Sequence, residues 1–470
     1  MPEPSSKLLH PLRRCLADIA SRRAGAAVAV AVSGGPDSVA LAGLAVPLAI
    51  ELGLQPRLWH VHHGLLPMAD GWTAQVERLA ASLGVPCRVR RVEVPAALRA
   101  EQGLEAAART ARRRAFAALA RADDCRHLLL AQHLDDQAET VLMRLLRGAG
   151  FDGMAGMRPH AVWEQASIEA WRPWLSVARH EILPAAQALA AAHGITLADD
   201  PSNLDPSLAR GLLRASVLPA LATHWPGYRQ TLARHADQAA EVADWLAQQA
   251  AGDLVALQDD GRRLDVAAWR ALVPGIRRRL VLRAWLAGQG LGMPSAARLA
   301  EFERQLLTAA ADRGLRWRHA GTIFGVYRGY CQRLPPALEG VPADLRRAWQ
   351  SEAAWDCAPL GTLSFRTTKS GLDPAWLAAQ PLRLSWRAEG GRLRLAWGGP
   401  ARGLKAWFQE RGVPPWERER LPRLWRDGQL IWVAGLGEQA DLPRTEPGIG
   451  LGWQPWPAGN NPAASGVEGR

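Results

Sequence analysis

Cysteine is scarce and scattered. Cys15, Cys87, Cys125, Cys331 and Cys357 form no CxxC pair, which argues against a disulfide framework, a zinc module and an iron–sulfur cluster. Lysine is nearly absent: of 57 Lys and Arg residues, only Lys7, Lys369 and Lys405 are lysines. Codon bias towards Arg, Ala, Gly and Pro accounts for most of that imbalance. Acidic residues number 45, so the formal charge is +12. Such a surplus suits a polyanionic partner, and arginine both pairs bidentately with phosphate and stacks on bases. Long apolar runs are also missing. No stretch reaches about 18 uninterrupted apolar residues, and MPEPSSKLLHPLRRC lacks the apolar core of a signal peptide. A soluble, cytoplasmic protein is the expectation. At 470 residues the chain exceeds one typical core, and about two to four domains are expected.

What is present is concentrated first in Val28–Ala40, VAVAVSGGPDSVA. Ala27 to Val32 is a short apolar, valine-rich run that suits a buried strand, and Ser33-Gly34-Gly35-Pro36-Asp37-Ser38 ends it. Gly34 and Gly35 let a polyanion approach the main chain, while Ser33, Ser38 and the first amides of the next helix can donate to phosphate oxygens. The loop is neither a Walker A sequence nor GxGxxG.

Strands over Arg57–Val61, Cys87–Val94 and His127–Ala131 alternate with helices over Leu8–Arg22, Val39–Leu52 and Trp72–Leu83. This βαβα rhythm predicts an α/β fold with a doubly wound parallel sheet. The second strand runs into His60-Val61-His62-His63-Gly64-Leu65, read as a nucleotide or RNA contact, or as structural, rather than as zinc ligands. Glu105, Arg109 and Arg112 share one helical face, either as a solvated ion pair or facing phosphate. The fourth strand enters Gln132-His133-Leu134-Asp135-Asp136-Gln137-Ala138-Glu139-Thr140. Adjacent carboxylates at the carboxyl end of a parallel strand beside a phosphate loop suit Mg²⁺, a hard ion that takes oxygen ligands. Further on, Arg210 and Arg214 lie one helical turn apart, either gripping RNA phosphates or pairing with Asp199 and Asp205.

The hexapeptide resembles the pyrophosphate loop of the N-type ATP pyrophosphatases, the adenine nucleotide alpha hydrolase-like enzymes that cleave ATP between its α and β phosphates to adenylate a substrate. Taken in order, SGGPDS, HVHHGL, the Glu105/Arg109/Arg112 helix, AQHLDDQAET, Arg144–Gly150 with Gly153–Met157, Arg172-Pro173-Trp174-Leu175, Arg179, His193-Gly194-Ile195 and Asp199–Asp205 with Arg210 and Arg214 resemble the tRNA(Ile)-lysidine synthetases. That resemblance implies ATP phosphates on Ser33, Gly34, Gly35, Pro36, Asp37 and Ser38, and Mg²⁺ on Asp37 and Asp136. It implies His133, Arg109 and Arg112 as further catalytic contacts. It also implies an adenylated tRNA intermediate, release of AMP and pyrophosphate, and attachment of free L-lysine to C2 of the wobble cytidine in tRNA(Ile) with a CAU anticodon. Two positions depart from the family: Arg113 where an aromatic is usual, and Gly211 where Asn is usual.

Beyond a catalytic domain over 1–218, the pattern predicts a helical tRNA-binding domain over 219–334, with Arg277-Arg278-Arg279 either on tRNA backbone or on a solvated face. A linker over 335–349, a small α+β domain over 350–454 and a disordered tail over 455–470 follow. The last domain resembles that of the long lysidine enzymes, and its Trp407, Trp416, Trp425 and Trp432 are candidates for base stacking, although most of the 21 Trp belong to core. The rival enzyme is a tRNA 2-thiocytidine synthetase, whose CxxC cysteines are missing here. A tRNA-binding protein with a dead ATP site is the rival from another class. A homodimer is kept as an open expectation.

Overall fold

A computed structural model of the chain describes residues 5–62, 64, 68–93, 103–163, 167–199, 205–259, 262–309, 315–335, 344–357, 360–386 and 390–455. The expected turn at Asp200-Pro201-Ser202-Asn203, His63, the Glu105 side chain, Gly261, most of the Pro-rich segment and the tail lie outside the described residues. The chain divides into two units, 1–246 and 247–470.

The first unit is built on a six-stranded sheet: β1 (Ala27–Ala31), β2 (Gln55–His62), β3 (Cys87–Arg91), β4 (His127–Leu129), β5 (His160–Trp163) and β6 (Ile168–Trp171). Their spatial order is β3-β2-β1-β4-β6-β5. All neighbours run parallel except β5, which is antiparallel to β6 and closes one edge. Alternation along β1 explains why it sits in the middle. Val28 and Val30 point into a core shared with Leu12, Leu16, Leu41, Ile182 and Leu189, whereas Ala29 points the other way, towards Trp59, Phe116 and Leu128. Helices therefore cover both faces: Ser6–Arg22, Pro36–Glu51 and Arg179–Ala192 on one, Leu104–Asp123 on the other. Gly43 makes close packing possible on the first face, since a Cβ there would meet Leu189 at 2.8 Å.

From β1 the chain winds outwards to β2 and β3, then returns to place β4 on the other side of β1. The carboxyl ends of β1 and β4 flank the point where strand order reverses, the place where open parallel sheets receive ligands. The expected strands and helices are present with ends shifted by up to three residues, while β5 and β6, four residues each, had no distinct signal in the sequence.

In the second unit, helices Ile276–Gly288 and Ala296–Thr308 pack with a four-stranded sheet over an aromatic core of Trp269, Trp285, Phe302, Trp317 and Phe324. Phe302 and Trp317 stack at 4.2 Å. Two five-stranded antiparallel sheets make the carboxyl-terminal part. Its first strand, Asp344–Arg347, pairs with Leu382–Ser385 and lies within the stretch read as linker. No described helix is long and apolar enough to cross a membrane.

Candidate active site

Ser33–Ser38 leaves the end of β1 and turns at once into the helix Pro36–Glu51, with Gly35 as its N-cap and Pro36 in its first turn. Two hydroxyls brace the turn. The Ser33 amide donates to Ser38 Oγ at 3.1 Å, and Ser38 Oγ donates to the Gly35 carbonyl at 2.9 Å, with Ser33 Oγ 3.2 Å away. Gly34 sits at φ +92° and accepts from the Ala198 amide at 2.9 Å, and a Cβ on it would meet Ala198 at 3.3 Å. Only glycine takes that conformation cheaply. The result is a tight loop opening a 16-residue helix, whose first amides and dipole favour an anion.

Across from it, His133 caps the helix Leu134–Leu146 in a reciprocal box with Asp136. The capping imidazole is buried, and its Nε2 lies 3.7 Å from Asp37 Oδ1 and 3.5 Å from Asp136 Oδ2. Two residues 99 positions apart in the numbering, Asp37 and Asp136, thus flank one ring nitrogen. Burial alone would lower the His133 pKa, but Asp37, Asp136 and Asp135 outweigh it and hold it above the ordinary value. Burial alone would raise that of Asp37, and His133 with Arg179 outweighs it, so the carboxylate stays ionised. Asp37 Oδ1 is buried with no hydrogen-bond partner among the described residues. Such an orphaned hard oxygen suits a divalent cation. Among those residues no three His, Cys, Asp or Glu side chains form a ready metal cage; Mg²⁺ is commonly held by one or two carboxylates, with phosphate and water supplying the rest.

An outer ring of ion pairs fixes these groups. Arg179 Nε lies 3.5 Å from Asp37 Oδ2, and the Arg179 amide donates to Asp135 at 2.9 Å. Arg229 donates to the other Asp135 oxygen at 2.5 Å. Glu139, one turn after Asp136 and buried, receives Arg214 bidentately at 2.7 and 3.0 Å. Arg210 Nε is 2.8 Å from Glu139 Oε2 without the alignment of a hydrogen bond, and both arginines approach Asp136, at 3.9 and 3.4 Å. This corrects the sequence reading: Arg210 and Arg214 pair with Glu139 and Asp136, not with Asp199 and Asp205. The following turn, Leu213–Val217, is a π-helix. Gly211 has no room for a side chain, since a Cβ would lie 1.9 Å from the Asp205 carbonyl.

The structure thus brings Asp37, His133 and Asp136 together beside the phosphate loop. Arg109 and Arg112 stand exposed on the helix Leu104–Asp123, with Arg109 near enough to Arg144 to add to the lowering that burial causes in its pKa. His60 Nδ1 bonds the Val32 carbonyl at 2.8 Å just before the loop, and His62 Nδ1 accepts from the Gly64 amide at 3.1 Å while its Nε2 lies 3.3 Å from Asp70 Oδ1. Glu139 and Arg179 fell within the stretches that carried the family resemblance without a role of their own, and Arg229 had no signal in the sequence. Arg277 and Arg279 are held by Asp253 and Glu303, and Arg278 donates to the carbonyls of Leu272 and Arg270. Trp425 and Trp432 are buried core.

Residues 8–221 match the family model described as PP-loop domain, 264–332 that of a TilS substrate binding domain, and 382–453 that of a TilS substrate C-terminal domain. A protein of Ralstonia nicotianae named tRNA(Ile)-lysidine synthase is 41% identical over 444 residues, covering 91% of each chain. Its namesake in Bordetella pertussis is 49% identical over 311 residues, 65% of this chain and 95% of its own. Another, in Nitrosomonas europaea, is 35% identical over 442 residues, 92% of this chain and 93% of its own. With relatives this similar along nearly its whole length, the chain belongs to the tRNA(Ile)-lysidine synthase family.

Proposed function

We propose that this chain adenylates C2–O2 of the wobble cytidine in tRNA(Ile) bearing a CAU anticodon and then joins free L-lysine at C2. The cytidine O2 attacks the α phosphate of ATP, pyrophosphate leaves, and the lysine ε-amine displaces AMP. The observation that carries the reading is the convergence of Asp37, His133 and Asp136 next to a phosphate loop, in a chain of this family.

Alignment and charge neutralisation serve this chemistry better than a protein nucleophile does. Ser33, Ser38 and the amides of Gly34, Gly35 and the following helix bind the triphosphate. Asp37 and Asp136 would hold a Mg²⁺ ion, which when bound would supply positive charge to offset that of the departing pyrophosphate. His133 keeps the two carboxylates in register, and Arg179 holds the second oxygen of Asp37. Arg109 and Arg112 supply positive charge from the neighbouring helix.

The test is incorporation of radiolabelled lysine into purified tRNA(Ile) transcript with a CAU anticodon, given ATP and Mg²⁺, beside elongator methionine tRNA with the same anticodon. Label in the isoleucine tRNA alone is expected. AMP formed without label would send the chemistry to another nucleophile.

A further inference from the structure

The segment that leaves the helix Arg179–Ala192 runs back to the phosphate loop, and the helix Ala69–Leu83 carries it there. Three side chains of that helix hold it in turn. Ser82 Oγ lies 2.6 Å from His193 Nδ1, Arg78 Nη1 donates to the Gly194 carbonyl at 3.4 Å, and Gln75 Oε1 accepts from the Thr196 amide at 3.1 Å. Spacings of three and four residues put Gln75, Arg78 and Ser82 on one face of the helix. Trp72, three residues before Gln75, lies at the loop itself: a Cβ on Gly34 would meet Trp72 Cβ at 3.6 Å and Ala198 Cβ at 3.3 Å. The strap is anchored by its own side chains as well, since Ile195 is buried in the core that holds Val28 and Leu41, and Leu197 packs against it.

What the strap delivers is one hydrogen bond. Its Ala198 amide donates to the Gly34 carbonyl at 2.9 Å. A trans peptide is planar, with C=O and N–H pointing in opposite directions, so fixing the Gly34 carbonyl against the strap turns the Gly35 N–H the other way. That N–H reaches Ser33 Oγ at 3.4 Å, a long bond that leaves it able to serve a stronger acceptor. Gly34, at φ +92°, has no Cβ to resist rotation of this peptide, so the orientation needs a tether. The hydroxyls of Ser33 and Ser38 bond the Ser33 amide, the Gly35 amide and the Gly35 carbonyl and leave the Gly34 carbonyl to Ala198.

We propose that Gln75 is a positioning residue for the nucleotide: by holding the Thr196 amide it sets the strap, and through Ala198 it fixes the Gly34–Gly35 peptide with its N–H towards the triphosphate. The proposal deepens the function given above and rests on it only for the identity of the nucleotide. Donors aimed in advance need no reorganisation when a phosphate arrives, and Gln75 acts on them through the main chain alone.

The experiment measures, on the full chain, the Kd for ATP with Mg²⁺, the Kd for tRNA(Ile) transcript and the Tm of Gln75→Leu and Gln75→Glu. Leucine removes the acceptor and keeps the bulk, whereas glutamate keeps an oxygen for the Thr196 amide. The affinity of Gln75→Leu for ATP should fall about tenfold, with affinity for tRNA unchanged, and Gln75→Glu should recover most of the loss. A lowered Tm with ATP affinity intact would make Gln75 only a brace and overturn the proposal. Equal weakening of ATP binding in both variants, or weakening of tRNA binding alone, would overturn it too. If Gln75→Leu does not fold, Gln75→Asn, polar but one carbon shorter, decides by the same Kd for ATP. ATP binding needs no lysine, so a Gln75-dependent Kd in a chain that incorporates no lysine would sink the function proposed above and leave this positioning role standing.

Discussion

Arginine does different work at two places in the chain, beside the Ser33–Ser38 loop in the first unit and over Trp376 in the second. Beside the Ser33–Ser38 loop of the first, Arg179, Arg210, Arg214 and Arg229 are tied to Asp37, Asp136, Glu139 and Asp135. In the second unit Arg426 lies over Trp376 at 4.2 Å with no carboxylate against it among the described residues, whereas Arg402 and Arg383, over Trp407 at 4.6 Å and Trp425 at 5.0 Å, also meet Glu410 and Asp344 at 2.6 and 3.4 Å. Carboxylate pairing fixes charged groups where chemistry needs them placed, and it ties their position to pH. Stacking, as at Arg426, uses the same side chain to cover apolar surface without a counter-charge among the described residues.

The largest effect should come from breaking the buried pair. Glu139→Gln leaves Arg210 and Arg214 beside Asp136 without their main partner and should cost about 3 kcal/mol in urea unfolding; a loss under about 1 kcal/mol would show that the ring of ion pairs does not hold the edge together. Acid provides a second contrast. Burial would raise the Asp135 pKa, but the Arg179 amide and Arg229 outweigh it and hold it below 3.8. A carboxylate with a depressed pKa stabilises the fold above the unfolded value and loses that contribution as pH falls through the folded one. Arg229→Met should therefore flatten the fall in stability as pH drops below the ordinary carboxylate value.

Arg426→Met, in the second unit, should cost about 0.5 to 1 kcal/mol and leave the acid limb of the stability curve unmoved; a changed acid limb would erase the distinction between the two regions. Smallest of all, thiol labelling at pH 8 should be slow for every cysteine. Burial pushes Cys15 up to about 12 and Cys87 to about 11, which leaves little thiolate, and Cys87, the least buried, should react first.

The catalytic edge was legible where its signals are local. An apolar run, two glycines, a proline and an aspartate within a dozen residues dictate strand, loop and helix start, and the His133–Asp136 box announces itself within four residues. What joins the pieces was not legible. Arg214 reaches Glu139 across 75 positions, whereas Asp205 is the nearer carboxylate in the chain and was the natural guess. The π-turn at Leu213–Val217 and the missing space at Gly211 depend on backbone packing that composition does not encode. Strands β5 and β6 escaped notice because four residues with mixed polarity carry no period, and their place in the sheet comes from pairing with β4.

The most direct test of the account is single-turnover formation of AMP from radiolabelled ATP in the presence of tRNA(Ile), comparing wild type with Asp37→Asn while tRNA affinity is measured in parallel. Loss of AMP formation by at least about a thousandfold with tRNA binding retained is the predicted result. AMP formed at the wild-type rate by Asp37→Asn would contradict the placement of the adenylating site between the phosphate loop, His133 and Asp136.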